Sequence, residues 1–100
     1  KEMIIYIDID KPILNNPTSF WQQGKKNNVK KILFYFEITE SNFEIIEYSD
    51  NGGNWKNLCN KLKNSICTVT KQFKKGNHDL IIRIKDKAGN YIKESINFSV

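Results

Sequence analysis

Between positions 31 and 38 the side chains alternate without a break: Ile32, Phe34, Phe36 and Ile38 fall on one side of an extended backbone, Leu33, Tyr35 and Glu37 on the other. Only a β-strand repeats every two residues. A strand with one apolar face must pair its backbone with neighbouring strands and bury that face against a second layer, so this segment demands a sheet and something packed on it.

The same repeat returns along the chain. Met3, Ile5, Ile7 and Ile9 alternate with a polar phase that includes Asp8 and Asp10, up to Lys11 and Pro12, where proline removes a backbone donor and ends the ladder. Residues 13–28, rich in Asn, Gln, Lys and Pro, read as a long connection with at most a short edge strand near Phe20 and Trp21. A strand is expected over 43–49, where the apolar phase slips between Ile45 and Ile46 and calls for a β-bulge. Asp50, Asn51, Gly52, Gly53 and Asn54 then form a hairpin turn, since Asn and Gly accept the positive φ of a tight reversal, and it leads into a strand from Trp55 to Leu58. Three more strands follow over 65–73, 78–85 and 91–100, separated by turns at 74–77 and 86–90. Seven strands without an amphipathic helix predict an all-β chain, an immunoglobulin-like β-sandwich of two antiparallel sheets in one domain spanning 1–100.

Two local patterns go beyond alternation. One runs from Ile46, Glu47 and Tyr48 through the Asn51-Gly52-Gly53-Asn54 turn to Trp55; the other from Gly76, Asn77, His78, Asp79 and Leu80 to Asp86-Lys87-Ala88-Gly89-Asn90. Over residues 46–90 the chain resembles the immunoglobulin-like modules of bacterial and archaeal surface proteins, in which a tyrosine strand enters a Gly-Gly hairpin followed by Trp, and a Gly-x-His-x-Leu strand ends in Asp-x-Ala-Gly-Asn. The resemblance implies a spacer, an adhesive unit or an accessory domain beside an enzyme. It is to the broader, fibronectin type III-like group and not to antibodies, because residues 32–38 and 80–85 contain no cysteine and no tyrosine corner is present. An ending on the alternating Ile96, Asn97, Phe98, Ser99 and Val100, and a start without a leader, are read as one module of a larger chain.

The formal charge of +5 invites a nucleic-acid reading, but the cations are fifteen lysines and the single Arg83, interspersed with eleven acids. Arginine is the residue that forks onto phosphate and guanine, and no stretch interleaves basic and aromatic residues, so no nucleic-acid partner is expected. The longest apolar run is too short to enter a bilayer. The lysines read as solvated guards of strand edges.

Cys59 and Cys67 are joined by a polar connection short enough to bring them within bridging distance, and an even pair suits an exported protein, so a disulfide is expected; two reduced, buried cysteines are the alternative. With the lone His78 they fall short of the four ligands of a structural zinc site. Asp8, Asp10 and Asp86 offer hard oxygens to calcium, yet no loop has the dense ligand spacing of a calcium motif, and Asp86 more simply caps its own turn. No serine, cysteine or carboxylate motif accompanies His78 to make it a general base, and Glu37, Glu40, Glu44 and Glu47 mostly fall on the polar phase of strands. Neither a metal nor an organic cofactor is expected. Trp55 is expected to plug the core, whereas Trp21, in a polar connection beside Phe20, is the first candidate for an exposed binding contact. Asn97-Phe98-Ser99 fits a glycosylation sequon with Asn97 outward.

These features predict a non-enzymatic structural or adhesive module, extracellular or at the cell surface, whose partners are neighbouring domains of the same chain or other surface proteins. Carbohydrate binding, with a glycan stacked on Trp21 and an outward tyrosine, or an accessory role beside a secreted enzyme, is the alternative.

Overall fold

The computed structural model describes residues 10–27 and 29–100, and over them the chain is all β. The strand expected at 3–9 lies outside the described residues, as do Tyr6 and Asp8. Eight strands among the described residues form two antiparallel sheets packed face to face as a β-sandwich. The long alternating segment is β3 (Val29–Thr39), the centre of the first sheet. One of its edges receives β1 (Ile13–Leu14) and β2 (Trp21–Lys26); its other edge receives β6 (Ile66–Lys71). The second sheet has the order β5 (Lys56–Cys59), β4 (Phe43–Asp50), β7 (Asn77–Asp86), β8 (Tyr91–Ser99).

The alternation sets what meets between the sheets. Ile32, Phe34, Phe36 and Ile38 of β3 are all buried, in one cluster with Ile46 and Tyr48 of β4, Leu80, Ile82 and Ile84 of β7, and Ile96 and Phe98 of β8. Each such side chain contributes roughly 1.5–3 kcal/mol by leaving water. Phe36 sits between two other rings, with centroids 5.5 Å from Phe20 and 5.6 Å from Phe34. The phase slip in β4 is absorbed by register shifts, between Phe43 and Ile45 against β7 and between Ile46 and Glu47 against β5. These let Phe43 and Ile46 both turn toward the core.

The connection expected at 13–28 carries more strand than the short edge strand expected near Phe20 and Trp21. Its sequence Trp-Gln-Gln-Gly-Lys-Lys is a six-residue strand, β2, in register with β3 from Trp21 opposite Phe34 to Lys26 opposite Val29. An edge strand is held mainly through its backbone, which any of these residues supplies, so its polar side chains leave no alternation to detect. Trp21, opposite inward-facing Phe34, turns to the interior edge and packs against Phe98 at 5.9 Å between ring centroids.

The two open sides of the sandwich are closed differently. On one, Cys59 of β5 and Cys67 of β6 form a disulfide, so the bond joins the two sheets at the strands that border the gap. On the other, Trp21 meets Phe98, and the Gln23 amide donates to the Ser99 carbonyl at 2.7 Å.

The turns follow their residues. Asn51 and Gly52 have φ of 50° and 76°, the positive pair of a tight hairpin turn, closed by the Gly53 N–H donating to the Asp50 carbonyl. Asp86, fully buried, accepts from the backbone N–H and the side-chain amide of Asn90, which caps the turn between β7 and β8 as its sequence suggests.

Candidate functional site

Two places gather side chains with chemistry. The first is a cleft of about 490 Å³ at the end of the sandwich where β4 turns into β5. Its lining combines the aromatic Tyr48 and Phe73 with Lys56, Lys74, His78 and Asp50. His78 starts β7, where its neighbours Asn77 and Asp79 take the wet phase and it takes the dry one. Its Nδ1 lies 2.8 and 3.0 Å from the two Asp50 oxygens, and its Nε2 lies 2.6 Å from the Lys74 carbonyl oxygen. Both partners are acceptors, so both ring nitrogens must donate, and only the imidazolium has two N–H groups. The ring is also stacked on Phe98 and tilted against Phe73, each at 5.3 Å between centroids.

Burial by itself would lower the pKa of His78. The hydrogen bond to the Lys74 carbonyl, the hydrogen bond to Asp50 and the charge of Asp50 together outweigh it and raise the pKa above its ordinary value. Tyr48 beside it is also raised, first by burial and then by the Asp50 charge. An imidazolium with both N–H groups engaged has no lone pair with which to accept a proton. His78 is therefore a strut that ties the end of β4 to the β6–β7 connection.

The sign of the pH effect follows. A group whose folded pKa is raised stabilises the fold fully below its unfolded pKa, about 6.5 for histidine, and that contribution disappears as pH rises through the folded value. The melting temperature is expected to decline as pH rises from about 6.5 through the raised folded value, and His78→Gln is expected to lower it and remove most of that slope. Thermal melts of both proteins across this range check it; equal slopes would contradict the strut.

The second place is the outer face of the β5-β4-β7-β8 sheet. Here the structure overturns the expectation that Trp55 fills the core. Trp55 is 37% exposed and carries the Arg83 guanidinium on its ring, with Cζ 3.9 Å from the centroid. Arg83, on the outward phase of β7, is opposite Glu47 in β4; its Nε donates to Glu47 Oε1 at 2.7 Å and its Nη2 forms an ion pair with the same oxygen. Tyr91, 44% exposed, has its ring centroid 5.9 Å from the Arg83 Cζ, and Lys93 Nζ lies 5.5 Å from the Tyr91 ring. A planar guanidinium stacks on a ring and forks onto a carboxylate at once, which an ammonium cannot do. That is a physical role for the chain's single arginine.

Of the residues singled out in the sequence, Cys59 and Cys67 are brought together; Trp21 is half-buried against the core edge, away from Trp55 on the other sheet. Asp10 is exposed and Asp86 belongs to its turn; among the described residues no three His, Cys, Asp or Glu side chains gather as a metal-ligand set. Asn97 is exposed on β8. Sequence reasoning missed the Trp55, Arg83 and Tyr91 assembly. The available signal was the one arginine among fifteen lysines, on the polar phase of a strand.

Comparison with protein-family models, with curated proteins and with solved structures gave no match.

Proposed function

We propose that the domain is a non-enzymatic, immunoglobulin-like structural or adhesive module of an exported or cell-surface protein. The observation that carries the reading is the disulfide between β5 and β6. Such a bond persists in oxidising compartments and is rare where glutathione and thioredoxin keep thiols reduced. The strand arrangement supports the module itself. With β1 and β2 taken together as the first strand, β3 and β6 complete an A-B-E sheet, and β4, β7 and β8 form C-F-G with β5 added as C′. The engagement of both nitrogens of His78 supports the absence of acid–base chemistry in the cleft.

An antibody against the domain is expected to label intact cells of the organism that makes it, or to detect the domain in the culture medium. Detection only after lysis would overturn the reading. A second reading, carbohydrate binding, is favoured by one observation: two exposed aromatic rings stand on one open sheet face.

A further inference from the structure

The geometry points to the outer face of the β5-β4-β7-β8 sheet as a docking surface for an acidic polysaccharide, with Trp55 and Tyr91 stacking on sugar rings and Lys85 and Lys93 pairing with the carboxylates. This deepens the carbohydrate reading above and rests on it.

The register fixes what the face presents. Arg83 is flanked by Glu47 on β4 and Lys93 on β8, Lys85 is flanked by Ile45 and Tyr91, and Ile81 by Ser49 and Ser95. Across these three rows the cations are Arg83, Lys85 and Lys93, and the one carboxylate is Glu47; the next row adds exposed Asp79, opposite Asn97 and beyond Ile81 from the lysines. Glu47 is consumed by Arg83, and only 13% of its side chain is exposed. The centre of the face therefore carries an excess of positive charge, with ammonium groups at its surface. A neutral ligand would leave those ammonium groups uncompensated; a polyanion complements them.

The rings decide between kinds of polyanion. β4 and β7 are each paired on both sides, so their backbone groups are used and an acidic peptide cannot add as a strand at the centre of this face. A polysaccharide needs no backbone partners. It needs flat apolar surfaces for the C–H faces of its rings and point charges for its carboxylates. Trp55 and Tyr91 both lie near one guanidinium, at 3.9 and 5.9 Å from its Cζ to their ring centroids, and Arg83 is held by Glu47, so the two rings share one surface before any ligand arrives.

The experiment is titration of the ¹⁵N-labelled domain with polygalacturonate, with dextran as the neutral polymer and poly-glutamate as the acidic polypeptide. Polygalacturonate is expected to shift the Trp55 indole resonance and the amides of Arg83, Tyr91 and Lys93. Trp55→Ala and Tyr91→Ala are each expected to weaken binding about tenfold or more, and Lys93→Glu to weaken it further as salt is lowered. Tyr35→Ala, on the outer face of the other sheet, is expected to leave it unchanged. The resonance map uses the unaltered domain, so it decides the matter even if a variant fails to fold. Equal binding of poly-glutamate would mean the face reads charge alone and would overturn the proposal. Equal binding of dextran, or a loss confined to Trp21→Ala, would also overturn it while leaving the carbohydrate reading intact. No response to either polysaccharide would remove both.

Discussion

Phe36→Ala is expected to destabilise the domain by about 3–5 kcal/mol, the range for emptying a large aromatic from a closed core. Phe36 has no exposed surface and lies between Phe20 and Phe34, so the void would open among rings that cannot collapse into it without leaving their own contacts. A domain of this size has only about 5–15 kcal/mol in total, and each kcal/mol moves the midpoint by roughly 4–8 °C. The expected fall is therefore upwards of about 12 °C. Tyr35→Ala, one residue earlier on the outward phase, is expected to change stability by less than about 1 kcal/mol. Urea unfolding of the two variants measures the difference. Similar losses would mean that the two faces of β3 are not inside and outside as described.

Removing the cystine is the second large effect. Cys59→Ala with Cys67→Ala is expected to cost about 2.5 kcal/mol, from the loop-closure entropy restored to the unfolded chain by opening a short ring. The position of the bond adds a local signature. Because it links edge strands of different sheets, its loss releases the side of the sandwich where β5 and β6 meet, while Trp21, Phe98 and the Gln23 hydrogen bond still hold the opposite side. Hydrogen exchange in the double variant is expected to accelerate in β5 and β6 more than in β8. A uniform acceleration equal to the global loss would show that the bond acts on the unfolded chain alone.

The sandwich was legible because its signal is local. In the middle of β3 and β7 the inward positions are apolar, Ile32 to Ile38 and Leu80 to Ile84, so the period of two could be read from neighbours along the chain without knowing any partner. The phase slip in β4 was readable for the same reason, and so were the turns at Asn51-Gly52 and Asp86-Asn90, whose chemistry is decided within four or five residues. Only the start of β2 near Trp21 was legible, since the rest of this edge strand faces water with its polar side chains and is held by backbone bonds that carry no residue code. The candidate site was hidden for a different reason. Trp55 looked like a core residue by type; in the structure it lies outward, stacked under a guanidinium 28 positions later in the chain.

By itself the sequence determined the class of fold, the inward face of the long alternating strands and the places where the chain reverses, because each depends on side chains within one strand or one turn. It also placed two cysteines near enough to bridge. Only the tertiary structure decided that the bridge joins separate sheets, that His78 is charged between Asp50 and the Lys74 carbonyl, and that Arg83 stacks Trp55 and Tyr91 into one surface. Those outcomes depend on register between strands distant in sequence, where one residue of slip would turn every side chain to the opposite face.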